Sequence, residues 1–213
     1  MNQRIFFQSK KALKNRVIDI ICRGIFIEDV SILNKYYQKK FIKKACEQGC
    51  SNYGKKWSCP PFSKPYYELM DGYNQVVLIS LSTNMNSYVD IKNKYTAIKA
   101  ANVTLKNLVE KVAREIEMEM EGYALLSGSC RFCRPCACKM NQKCKHPDKM
   151  RYSIEATYLN VQAICKELLE FELLWYEKKR LPQYTSTVSL VFCNKKLVKD
   201  IILEIINDVI DNY

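Results

Sequence analysis

The longest regular pattern in the chain runs from Lys92 to Met120. Tyr95, Ile98, Ala101, Leu105, Leu108, Val112, Ile116 and Met120 recur there every three or four positions. That period lays one apolar stripe along an α-helix of about eight turns. Gly122, just past the stripe, suits a helix end. QVVLISLS (75–82) is apolar on both alternating faces, which predicts a central, fully buried strand. VIDIICRGIFI (17–27) is rich in β-branched residues and predicts another strand. DVSILNKYYQKKFIKKAC (29–46) carries Ile32, Tyr36, Tyr37, Phe41 and Ile42 at helical steps, predicting a helix that delivers Cys46 at its end.

Further along, YALLSGS (123–129) reads as a strand leading into Cys130. Ser153 suits an N-cap and Glu155 a first turn for a helix through Leu169. FELLWYEK (171–178) and TSTVSLVFC (185–193) read as two strands paired across KRLPQ, and LVKDIILEIINDVI (197–210) as an amphipathic helix. The basic opening, residues 3–17, reads as a short helix or a loose arm. Helices and strands alternate without repeat, low-complexity segment or linker. The expected fold is a single α/β or α+β domain over residues 1–213, with a small mixed sheet, flanking helices and two cysteine-rich loops, 46–65 and 130–147.

Composition supports this picture. A chain of 213 residues with 48% hydrophobic content can bury a core. No apolar run approaches the roughly 18 residues of a membrane helix. The N-terminus places a short apolar patch before its charges, the reverse of a secretory signal, so the expected compartment is the cytoplasm, where thiols stay reduced.

Cysteine changes the picture most. Of 11 cysteines, eight fall in two groups, at 46–59 and 130–144. Disulfide scaffolds are usually shorter and secreted, so metal explains the grouping better. In the second group Cys130, Cys133 and Cys136 are evenly spaced, with Cys144 eight residues on. Two-residue gaps bring every third side chain back toward one centre, as in the ferredoxin run that binds an iron–sulfur cluster. Zinc sites more often pair two C-x2-C units and would leave the third thiol unexplained, although Cys130, Cys133, Cys144 and His146 could form a Cys3His zinc site. Cys138 reads as a spare thiol, and His146 as a hydrogen-bond partner rather than a ligand.

The first group offers three thiols, Cys46, Cys50 and Cys59, followed by Pro60-Pro61. Three thiolates leave a cluster one open position, where chemistry could occur. A fourth protein ligand such as Cys138 or Cys193 would close it instead. Tyr53, Gly54 and Trp57 read as packing and turn residues, and Cys165 and Cys193 as buried small hydrophobes. Glycine-rich phosphate loops, G-x-S-x-G and H-E-x-x-H are all missing from the sequence.

The formal charge of +12 suggests nucleic acid at first sight. Two four-cysteine [4Fe-4S] units would carry about −2 each and bring the net charge to about +8. The lysines are scattered and the aromatic residues are not interleaved with them, which argues against a nucleic-acid groove.

CSNYGKKWSCPPF (50–62) and CRFCRPCACKMNQKCKHPDKMRYSIEA (130–156) together resemble a bacterial and archaeal family of predicted metal-binding proteins, number 2284 among the domains of unknown function. The first matches its C-x-x-Y-G-x-x-W-x-C-P-P-F and the second its C-x-x-C-x-x-C…C-[RK]-H-P. The resemblance spans residues 25 to 195 approximately. It implies Cys46, Cys50, Cys59, Cys130, Cys133, Cys136 and Cys144 as metal ligands and assigns no reaction, and Cys138 and the KKRLPQ segment depart from its pattern. The expectation is a cytoplasmic iron–sulfur protein with one or two [4Fe-4S] clusters, acting as an electron-transfer accessory with a redox partner protein, or as a small enzyme. The alternative is a Zn2+-stabilised binding module for an acidic partner such as nucleic acid.

Overall fold

A computed structural model describes residues 3–177, 180–196 and 198–213. Five strands form one sheet: β1 (Gln3–Leu13), β2 (Arg16–Ile27), β3 (Gln75–Asn84), β4 (Tyr123–Leu125) and β5 (Tyr184–Cys193). Their order is β1-β2-β3-β5-β4, and every neighbouring pair is antiparallel. Four α-helices accompany it: α1 (Lys39–Gly49), α2 (Lys94–Glu119), α3 (Val161–Leu168) and α4 (Lys199–Asp211). Among the described residues, no helix is long and apolar enough to cross a membrane.

The sheet buries both faces, each against a different cover. On one face Ile79, Leu81 and Val191 share a core with Leu105, Leu108 and Val112 of α2 and with Ile202 and Ile206 of α4. On the other, Leu78, Leu190 and Phe192 share a core with Leu33, Tyr36, Tyr66, Ile154 and Ile164. β3 is buried at eight consecutive positions, Val76 to Thr83, as its unbroken apolar run requires.

Several local expectations change. The basic opening is neither helix nor loose arm. It is edge strand β1, joined to β2 by a two-residue turn with Leu13 opposite Arg16. Its burial alternates, with Ile5 buried in the core and Phe7 and Leu13 packed against it, while Arg4, Lys10 and Lys11 guard the open edge. The helix expected over 29–46 divides. Asp29 caps a 3-10 segment, Val30–Tyr36, and α1 starts only at Lys39. Tyr37 between them is extended because it bridges Leu159, and the Gln38 N–H donates to the Tyr158 carbonyl at 2.9 Å. Cys46 still lies in α1, as expected.

The helix expected from Ser153 to Leu169 also divides. A 3-10 turn, Glu155–Thr157, forms instead with Ile154 at its N-cap, and Ser153 Oγ accepts from the Ala156 N–H at 3.1 Å. Tyr158 then takes a left-handed φ of 69°, and Asn160 caps α3 afresh by accepting from the Ala163 N–H. The strand expected at 171–177 pairs with none of the five strands: the chain leaves α3 through Glu170 at a left-handed φ of 56°, the Phe171 N–H donates back to the Cys165 carbonyl at 3.3 Å, and Glu177 makes an isolated antiparallel bridge to Arg180. Lys178, at the end of that expected strand, and Leu197, at the start of the expected last helix, lie outside the described residues.

At the end of α2 the left-handed residue is Glu121 (φ 47°), and the Gly122 N–H donates back to the Glu117 carbonyl at 2.8 Å, a Schellman closure. Gly122 is needed for another reason. A Cβ there would stand 2.1 Å from the Phe192 carbonyl oxygen of β5. This close approach leads the chain from α2 into β4 and so to Cys130.

Candidate metal centre

The first cysteine loop grows out of α1. Cys46 is half-buried in the helix, Cys50 caps it in the open by donating its N–H to the Cys46 carbonyl (3.1 Å), and Cys59 is buried. Between them Gly54, at φ 65°, donates its N–H to the Pro60 carbonyl at 2.9 Å and closes the loop. The Cys59 carbonyl accepts from both the Phe62 and Ser63 N–H groups, and Ser63 Oγ donates to the Ala156 carbonyl at 2.7 Å. The three thiols are electrostatic neighbours. Burial raises Cys46, helped by the Cys50 thiol and the Glu155 carboxylate. Burial also pushes Cys59 up to about 11 against the opposing effect of the Ser58 hydroxyl, with Cys50 and Cys46 adding to it and Lys56 opposing. Metal-free, the Cys46 and Cys59 thiols hold their protons at neutral pH, so metal binding there must release them.

The second loop surrounds a hollow. Cys130, Cys133, Cys136 and Cys144 all line it, with His146, Phe132 and, from the first loop, Trp57 and Ser58. Burial raises Cys130, opposed by a hydrogen bond from the Phe132 backbone, with Cys144 and Cys136 as neighbouring thiols. The His146 and Phe132 rings lie 5.5 Å apart. Among the described residues, no three Cys, His, Asp or Glu side chains converge as ligands of a single ion. The donor chemistry of the hollow is nonetheless dominated by thiol, which suits iron–sulfur clusters and zinc and disfavours hard cations.

Cys138 is buried in a 3-10 turn, Ala137–Met140, with Sγ 3.9 Å from the Gly54 carbonyl oxygen. Burial raises it, with Cys136 its neighbouring thiol. Cys22, Cys165 and Cys193 are buried in the two cores, each thiol pushed up to about 12 chiefly by burial. Cys193 lies in the core shared with α2, so it packs as a small hydrophobe.

Contacts between the two loops were hidden from sequence reasoning. Lys56 Nζ donates to Ser129 Oγ (2.9 Å) and to the Cys130 carbonyl (2.8 Å). The Cys130 N–H donates to Ser58 Oγ at 3.0 Å, and Trp57 Nε1–H donates to the Gln142 carbonyl at 2.9 Å. Lys56 therefore sits between the groups, and its charge lowers both Cys59 and Cys130. The only local hint was a run of hydrogen-bond donors, Lys56-Trp57-Ser58, immediately before a cysteine. Trp57, read as a packing residue, packs on Phe62 (ring centroids 4.8 Å apart) and also walls the hollow. Glu155, read only as a first-turn acid, brings its charge beside Cys46.

A family model described as predicted metal-binding protein (DUF2284) matches residues 33–193. The chain belongs to that family. Comparison with curated proteins finds no match, and comparison with solved structures finds none.

Proposed function

We propose that this member of the predicted metal-binding family is a cytoplasmic iron–sulfur protein, an electron-transfer accessory to a redox partner protein or a small iron–sulfur enzyme. The observation that carries the reading is the lining of one hollow by Cys130, Cys133, Cys136 and Cys144. A [4Fe-4S] cluster held there would accept and release single electrons. The chain's own contribution is positional: Lys56 and Ser58 fix the backbone on either side of Cys130, and Trp57 and Phe132 keep the hollow's wall apolar. Cys46, Cys50 and Cys59 would hold a second cluster with one position left for a small ligand.

The test is anaerobic purification followed by iron, acid-labile sulfide and zinc analysis, with EPR of the reduced protein. The expected result is a brown protein absorbing broadly near 400 nm with matched iron and sulfide. Zinc at one or two per chain without iron would overturn it. One observation favours that second reading: His146 lines the same hollow and could complete a Cys3His zinc site with Cys130, Cys133 and Cys144. A zinc-stabilised module would be colourless, and if it binds nucleic acid its affinity should fall steeply with salt.

A further inference from the structure

Part of the positive charge that looks scattered along the sequence is gathered at one place by the fold. Between α2 and the second cysteine loop lies an open cleft of about 580 Å3, within the size range of small-molecule sites. Five cationic side chains line it, Lys111, Arg114, Arg131, Lys149 and Arg151, against one lining carboxylate, Glu110. Lys111 and Arg114 come from α2 and the others from the loop and its exit.

Their pairing leaves charge over. Glu110 serves two arginines, with Oε2 2.6 Å from Arg131 Nη2 and Oε1 3.5 Å from Arg114 Nη2. Arg151 is engaged by Glu117, Nε to Oε1 at 2.5 Å, which also lies 4.0 Å from Arg114. Lys111 and Lys149 are exposed and form no ion pair among the described residues. Arg131 is held in place by Glu110 and by Asn107 Oδ1 (3.1 Å), which spares part of the entropy a free surface arginine would lose on binding. Phe132 supplies an apolar wall, with the Arg114 guanidinium 5.5 Å from its ring centre. Phe132 and Cys130 line both this cleft and the thiol hollow, so an occupant would rest against the second cysteine group.

We propose that this cleft binds a small dianionic molecule, a phosphate monoester or a dicarboxylate with a planar or apolar body. Its charge falls on Lys111, Lys149 and Arg131, and its body lies along Phe132. A bounded cleft with one aromatic wall suits a small molecule better than a polynucleotide, which needs a basic track with successive stacking rings. Cations around a thiolate centre could instead serve only as its counter-charge, and the test separates these roles.

The full-length, metal-loaded protein is titrated calorimetrically with phenyl phosphate and, separately, isophthalate at about 0.15 M ionic strength, with metal content measured in parallel. At least one probe should bind one-to-one with a dissociation constant below about 1 mM. The one that binds distinguishes phosphate from carboxylate. The Lys111→Ala/Lys149→Ala double variant should weaken binding by about tenfold or more, as should Arg131→Gln, with metal content unchanged. The proposal is overturned if neither probe binds, if both variants bind like wild type, or if the double variant loses metal, which would make the lysines counter-charges. A single-stranded oligonucleotide that displaces the probes at lower concentration would also overturn it. Because metal is assayed independently, zinc in place of iron would sink the iron reading and leave the cleft intact.

Discussion

The two cysteine loops are built from similar parts and end in different positions. The first hangs from the end of α1, with one thiol half-buried, one exposed and one buried, three in all. The second leaves β4, folds around a hollow with four half-buried thiols on its wall, and takes two further wall residues from the first loop. An exposed thiol such as Cys50 leaves a centre open to solvent and small ligands. A shared, walled hollow favours a closed centre whose metal is part of the fold. Under the proposed function, the difference would put chemistry at the 46–59 group and support or electron storage at the 130–144 group; Lys56 of the first loop reaches Ser129 and Cys130 of the second.

The largest expected effect is on the closed centre. Cys144→Ala should lose its metal and with it a large part of the stability, since binding energy at a site formed only on folding is folding energy, about 10–16 kcal/mol for structural zinc in small peptides. Metal content and anaerobic thermal unfolding read both at once. If Cys144→Ala melts within a few degrees of wild type, the second centre is not structural and the contrast between the loops fails.

Cys59→Ala should act differently. It should remove the first group's metal and abolish any spectral response to cyanide, while most of the stability remains. Equal losses of stability in the two variants would erase the distinction, and a cyanide-silent wild type would mean that both centres are closed.

Lys56→Met removes a cation that donates to Ser129 Oγ and the Cys130 carbonyl, and it should cost about 1–3 kcal/mol in chemical unfolding. Lys56 lowers the pKa of Cys59 and of Cys130, so its removal raises both thiols. Metal uptake needs thiolates and should then shift to higher pH in both groups. A shift in one group alone would show that the loops do not share this support.

The smallest effect is expected at Cys138, whose Sγ lies 3.9 Å from the Gly54 carbonyl oxygen and whose neighbouring thiol is Cys136. Cys138→Ala should leave metal content unchanged and cost about 1 kcal/mol. Loss of the first group's metal in this variant would make Cys138 its fourth ligand and close the open position.

The sequence by itself determined whatever depends on neighbours a few positions apart. The three-to-four-residue stripe specified α2, the two-faced apolar run specified central β3, and the C-x2-C-x2-C spacing singled out thiols that line one hollow. Tertiary structure decided what depends on distant partners. β1 became a strand because β2 offered it an edge, and residues 171–177 pair with none of the five strands, the chain being turned back onto α3 at Glu170 and Phe171. The two expected helices broke where Tyr37 met Leu159 and Gln38 met Tyr158. Lys56 reaches Cys130 across 74 positions, and Trp57 reaches Gln142 across 85. A periodic pattern records only how one element meets a core. Which edge, loop or cation meets it is settled when the chain closes those long separations, at an entropic cost that only the assembled contacts repay.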